Sequence, residues 1–171
     1  MRIGIFTNNY IPIVSGVTES IESFRKELEA RGHEIYIFAP RFPGHKDDNP
    51  NVFRYPSINY KYKTPFPIAI TLGKGALKKA KELKLDVIHS QHPFNVGQDA
   101  LKIARKLDLP ILFTNHCRYD IYTHFIPLVP HLAENVQNVD HIIPTYWVRG
   151  GMSTRTIVRN IDYLKSCGIK N

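Results

Sequence analysis

The chain has 171 residues, 43% of them apolar and 22% charged, with 23 Lys and Arg against 15 Asp and Glu for a formal charge of +8. Such a length buries roughly 70% of the surface exposed in the unfolded chain, enough for one domain to fold without disulfides or a structural metal. The two cysteines, Cys117 and Cys167, have no repeated spacing, which argues against a disulfide framework or a four-cysteine zinc site and for reduced thiols in a cytoplasmic protein. No apolar stretch approaches the ~20 residues of a membrane-spanning helix, and the run from Ile3 to Phe6 is too short for a signal peptide.

Arg2 to Thr7 is a β-branched and aromatic run, which predicts a buried first strand. Asn8 to Gly16 reads as a loop. Val17, Ile21, Phe24 and Leu28 then recur at helical spacing, with Glu22, Lys26 and Glu29 facing outward and Gly32 closing the helix. His33 to Ala39 predicts a second strand, stopped by Pro40. From Arg41 to Pro67 the chain is rich in Pro, Asn and Lys and reads as loop, with one short strand at Val52 to Tyr55. Helices are predicted over 74–84, 96–107, 129–139 and 156–167, and strands over 86–90, 110–114 and 141–144. Strands alternating with helices imply right-handed crossovers and a doubly wound, mostly parallel, Rossmann-like α/β sheet, whose ligands sit outside the carboxyl ends of the strands.

Three loops that follow strands are therefore candidate ligand edges. In the first, Ser15-Gly16 opens a helix, and the free N–H groups of Val17 to Glu19 can face an anion while Gly16 keeps the approach clear of a Cβ. An ordinary N-cap with a glycine turn explains the same residues. A dinucleotide site is disfavoured, since there is one glycine in place of G-x-G-x-x-G and Ala39-Pro40-Arg41 where a ribose-binding acid belongs. The second and third loops are His89-Ser90-Gln91-His92-Pro93-Phe94 and Thr114-Asn115-His116-Cys117-Arg118-Tyr119-Asp120. Six of the eight histidines lie between His89 and His141, yet neither H-E-x-x-H nor C-x-x-C occurs, so no metal is assigned. Neutral histidines at strand ends either hydrogen-bond a sugar hydroxyl or phosphate oxygen, or serve as satisfied structural groups.

Charge is concentrated from Lys61 to Lys84, where seven lysines face one acid, Glu82. Lys74, Lys78 and Lys81 share a face of the predicted helix; Leu77, Ala80 and Lys84 share another, and Tyr60, Tyr62 and Phe66 interleave with Lys61 and Lys63. Two readings stand, an anionic membrane surface and a solvated face. Nucleic acid is disfavoured, because the charge forms one patch and not a groove lined with arginines and stacking aromatics.

Taken together, RIGIFTNNYIPIVSGVTESI, RGHEIYIFAP, LDVIHSQHPF and FTNHCRYDIYTHFIP resemble the N-terminal half of a family 4 retaining glycosyltransferase, in the branch that glucosylates diacylglycerol, with related mannosyltransferases nearby. The resemblance implies one half of a GT-B architecture, two Rossmann-like halves across a cleft, with no metal or other cofactor. It implies that residues 1–171 are the acceptor-side domain, that the C-terminal donor-binding domain is absent, and that the isolated chain does not catalyse transfer. Gly16, with Val17 beside it, matches the position that lies against the donor diphosphate; the preceding position, often glycine in the family, is Ser15. His116 matches the histidine near the transferred sugar. Asp120 would orient the acceptor hydroxyl, so His116 and Asp120 are the catalytic candidates. His92, Tyr119, Tyr122 and His124 are the acceptor-side candidates, and Gln91 stands where relatives often have histidine. The implied partners are a nucleotide-sugar donor and an acceptor, a membrane lipid in that branch. The implied location is the cytoplasm, peripheral at the inner membrane face. The alternative is a stand-alone, non-catalytic binding or regulatory module on the same fold.

Overall fold

The computed structural model describes residues 1–62, 64–114, 116 and 147–148. Its elements in order are β1 (Arg2–Phe6), α1 (Gly16–Ala30), β2 (Glu34–Pro40), β3 (Val52–Tyr55), β4 (Ser57–Tyr62), β5 (Thr64–Ala69), α2 (Gly75–Glu82), β6 (Val87–Ser90), α3 (Val96–Leu107), β7 (Ile111–Thr114) and β8 (Trp147–Val148). Six strands form one sheet in the order β3-β2-β1-β6-β7-β8, and every pairing in it is parallel. This is the Rossmann-like sheet expected from the alternation of strands and helices.

Both faces of the sheet are covered, which is why its strands are buried along nearly their whole length. Ile3, Ile5, Ile35 and Ile37 pack with Ile21, Phe24 and Leu28 of α1 on one face. Phe6, Phe38 and Ile88 pack with Ala80 of α2 and Val96, Ala100 and Ile103 of α3 on the other. Phe6 and Phe38 are direct register partners, and their rings stack with centroids 4.4 Å apart. The buried Tyr55 hydroxyl donates to Asp99 Oδ2 at 2.8 Å, tying edge strand β3 to α3. Desolvation holds the Tyr55 hydroxyl far above its ordinary pKa and raises that of the Asp99 carboxyl.

Three readings of the sequence need correction. Residues 57–67, within the stretch read as loop, belong to an antiparallel hairpin in which β4 pairs with β5 apart from the main sheet. The run at 74–84 is helical only over Gly75–Glu82. Glu22, expected to face outward, accepts from the Tyr10 hydroxyl and from Arg25 and is largely buried between them. The helices expected over 129–139 and 156–167 and the strand over 141–144 lie outside the described residues. Among the described residues no helix is long and apolar enough to cross a membrane.

Candidate functional site

The sheet order makes β1 and β6 neighbours although 80 residues of chain separate their ends, because β2 and β3 extend the sheet one way and β7 and β8 the other. The crevice at this reversal is where ligands of such sheets bind. The loops after β1 and β6 meet there, together with His116 beyond the end of β7, and all three follow strands marked in the sequence.

The loop after β1 is pinned at every turn. Thr7 Oγ1 accepts from Asn9 N at 3.1 Å and donates to Asn9 O. Asn8 N–H donates to His92 Nδ1 at 3.1 Å, while the Asn8 amide donates to Phe94 O and its oxygen accepts from Val96 N at the start of α3. Arg54 NH2 donates to Ile11 O, and its guanidinium stands over the Tyr10 ring at 5.5 Å while gripping Asp47 through two bonds and Pro40 O through a third. Thr18 Oγ1 closes the loop by donating to Ile13 O.

Ser15 is an extended N-cap whose Oγ accepts from Thr18 N at 3.2 Å, and its carbonyl accepts from Glu19 N. Both N–H groups are thereby consumed, so of the donors expected from Val17 to Glu19 only that of Val17 stays open, with Gly16 N–H beside it. Gly16 is exposed, and a Cβ built on it meets nothing within 4 Å. An anion at α1 therefore finds clear space over two unpaired donors. At α3 the first donor, Val96 N–H, is already capped by Asn8 and Gly97 N–H by Phe94 O, so of these two helix starts it is α1 that leaves its first N–H groups open.

The histidines form one buried cluster. His89 Nε2 lies 2.8 Å from Thr114 Oγ1, Gln91 Nε2 lies 2.9 Å from His89 Nε2 and Gln91 Oε1 lies 2.6 Å from His116 Nε2, and the rings of His92 and His116 are 6.3 Å apart. Desolvation drives the His89 ring down to about 3 and the His92 ring down to about 4, each with a smaller contribution from His116, and burial lowers His116 as well. All three are neutral at neutral pH. Since His92 Nδ1 accepts the Asn8 N–H, its proton is on Nε2, which has no partner among the described residues. The turn that carries His92 depends on Gly97: a Cβ there would lie 1.6 Å from His92 O. Ser90 Oγ donates to the same carbonyl at 2.9 Å.

Gly16, Val17, His92 and His116 thus share one edge of the sheet. Asp120, Tyr119, Tyr122 and His124 lie outside the described residues. Asn8, Gln91 and Thr114 organise the edge, and none of them was assigned a binding or catalytic role in the sequence. The faint signals were the Asn8-Asn9 pair closing a strand and Gln91 set between two histidines. Among the described residues no group of three or more His, Cys, Asp or Glu is placed to hold a metal ion.

A family model, Glycosyltransferase Family 4, matches residues 14–158, which takes in the end of the first loop and the whole of the other two. The chain belongs to glycosyltransferase family 4. This family 4 chain is 38% identical over 139 residues to the alpha-monoglucosyldiacylglycerol synthase of Acholeplasma laidlawii, an alignment covering 79% of the chain and 35% of that relative. The Streptococcus pneumoniae synthase of the same name is 38% identical over 130 residues, covering 74% of the chain and 29% of the relative. The GDP-mannose-dependent alpha-mannosyltransferase of Corynebacterium glutamicum is 26% identical over 179 residues, covering 100% and 41%. The family 4 chain therefore spans about a third of the length of the curated synthases it matches.

Proposed function

We propose that this chain is the acceptor-side domain of a retaining glycosyltransferase that moves a sugar from a nucleotide-sugar donor to a membrane lipid at the cytoplasmic face of a membrane. The observation that carries the reading is the shared edge at the β1/β6 reversal: two unpaired N–H groups at Gly16 and Val17 beside a cluster of neutral imidazoles. Departure of the nucleotide places growing negative charge on a diphosphate, which fixed donors stabilise where the charge develops. The imidazoles of His92 and His116, uncharged and polar, suit sugar hydroxyls.

The synthases with 38% identity are named for diacylglycerol glucosylation, and two features of this chain fit a lipid acceptor. The hairpin presents Ile58, Phe66 and Ile68 on one exposed face, followed by exposed Ile70 and Leu72. A cavity of about 320 Å³ opens between β3 and the start of α2, lined by Phe38, Phe53, Tyr55, Pro56, Ile70 and Lys79.

A second half is needed on this reading, because one helix N-terminus contributes only ~0.3–1 kcal/mol to an exposed anion. Even ~2 kcal/mol leaves the dissociation constant above ~10 mM. Val14, 87% exposed just before the N-cap, and Ile11 offer an apolar rim for that half to cover. Calorimetric titration of the chain with UDP- and GDP-sugars is expected to show no binding below the millimolar range, with transfer appearing only when a donor-binding half is supplied. A micromolar constant for the chain alone would overturn the two-half reading.

A further inference from the structure

The cavity between β3 and the start of α2 lies toward the same end of the sheet as the histidine cluster. Phe38 stands near the end of β2, and Tyr55 closes β3. The Tyr55 hydroxyl is bonded to Asp99 in the first turn of α3, the helix that Asn8 caps at Val96. Phe38, Phe53, Pro56, Ile70 and Ala76 give the cavity of about 320 Å³ a largely apolar wall. Small-molecule sites span roughly 300–1,000 Å³, so this one has room for a single slender ligand.

Three polar side chains reach the wall, and each is already engaged. Arg54 is held by Asp47 and by the carbonyls of Pro40 and Ile11. The Tyr55 phenol donates to Asp99. Lys79 pairs with Glu82 at 2.8 Å and stands over the Phe53 ring at 5.3 Å. Main-chain groups are spent as well: Ile70 N–H donates to Pro56 O, and Tyr55 O accepts from Arg41 N–H and the Ser57 hydroxyl. An ordered water needs roughly two to four polar partners, which this wall does not offer. A polar ligand would meet the same shortage, whereas hydrocarbon gains from leaving water.

The approach to the cavity selects a chain over a compact ring. Ile58, Phe66 and Ile68 are exposed on one face of the hairpin, and Ile70, 40% exposed, carries the alternation into the wall. Leu72 follows, 95% exposed. Gly73 and Gly75, both exposed, complete the lining without side chains. A ring would fill the cavity and leave this strip bare. A longer hydrocarbon covers both.

We propose that the cavity binds one alkyl chain, whose remaining carbons lie along the hairpin strip, and that the chain belongs to the glycerolipid acceptor. Its assignment to the acceptor rests on the function proposed above; the preference for hydrocarbon does not.

Calorimetry of the 171-residue chain with octyl-, decyl- and dodecylglycerol, each below its micelle-forming concentration, is the test. One-to-one binding should tighten by up to about fourfold for each methylene added. Ala76→Phe, which places a ring in the cavity, should weaken binding by an order of magnitude without lowering the melting temperature. Ile70→Gln, at the exposed rim, should weaken it severalfold and serves where the phenylalanine prevents folding. Affinity independent of chain length, or wild-type binding by both folded variants, would overturn the site. Decanoate and dodecanoate separate a free fatty acid from a glycerolipid. Since Lys79 is already paired, the carboxylates should bind no tighter than the glycerol ethers, and a preference for them by an order of magnitude would overturn the acceptor assignment. Alkyl binding by the chain, with no sugar transfer by an assembled two-half protein, would instead remove the proposed function and leave the alkyl site standing.

Discussion

The backbone N–H of Asn8 donates to Nδ1 of His92 across 84 residues of sequence, tying together the loops that follow β1 and β6, the two strands at which the strand order reverses. The Asn8 side chain reinforces it by capping α3 at Val96 and holding Phe94 O. Asn8→Ala keeps the backbone bond but removes a helix cap and one further hydrogen bond, together worth about 2 kcal/mol. Melting should fall by roughly 4–8 °C in a domain of this size, with the His92 tautomer unchanged by NMR. An unaltered melting temperature would mean that the cap contributes nothing.

Two glycines at this edge should respond oppositely to a side chain. Gly97→Ala forces a Cβ to 1.6 Å from His92 O, and neither backbone can give way cheaply, so folding should be lost or weakened by several kcal/mol. Gly16→Val meets nothing within 4 Å and should leave thermal unfolding within about 0.5 kcal/mol of wild type. In an enzyme carrying both halves, Gly16→Val should nevertheless lower activity by an order of magnitude or more, because the side chain would stand where the proposed diphosphate approaches. Equal losses of activity and stability would place the importance of Gly16 in folding.

Acid should destabilise the domain before carboxylates titrate. The unfolded chain takes up protons at the positions of His89 and His92 near 6.5, whereas the folded chain does so only at about 3 and about 4. Stability is thus complete above 6.5 and falls as pH drops, approaching ~1.4 kcal/mol per pH unit for each ring. Glu22 and Asp47, whose pKa values are lowered, add losses of the same sign only further down; Asp99, raised by burial, opposes them. Urea unfolding in the window between about 6.5 and 4.5 measures the slope. His92→Asn, whose amide oxygen can replace Nδ1 as acceptor for Asn8, should remove the share of one ring and leave those of His89 and His116.

The lysine face can be separated from mere solvation by vesicle sedimentation. Lys74, Lys81 and Lys84 make no ion pair among the described residues, whereas Lys78 and Lys79 share Glu82. The chain should bind anionic vesicles, be released by high salt and ignore neutral ones. Replacing Lys74 and Lys81 with glutamine should remove about 2 kcal/mol, roughly thirtyfold in partitioning. Equal binding to neutral and anionic vesicles, or none to either, would leave these lysines as a solvated face.

What could be read in advance follows from the range of the forces involved. Ile3 to Phe6 and Ile35 to Ala39 declare themselves as strands because burial on both faces demands unbroken apolar runs, and Val17, Ile21, Phe24 and Leu28 declare α1 by their spacing. The hairpin escaped because Pro65 and Pro67 argue against a strand. They are tolerated because β4 and β5 form a ribbon of two edges, and positions two apart leave both missing N–H groups on one side. Gly16, His92 and His116 were legible as chemistry at strand ends. Asn8 and Gln91 were not, because their roles exist only once the sheet order brings residues 84 and 25 positions away against them. Glu22 misled for a related reason, since the phenol that claims it lies in another element.

Arg54 has a consequence beyond the edge strand that carries it. By holding Ile11 O, Pro40 O and Asp47 at once, it leaves the loop before α1 no slack. Ordering a loop costs ~1–2 kcal/mol for every residue fixed, and here that entropy is already surrendered during folding. An arriving anion meets a rigid shelf, and its binding enthalpy is not spent on arranging the receptor. On the proposed two-half reading, any sensitivity to occupancy arises in the joint with the donor-binding half, with this surface as the stationary jaw.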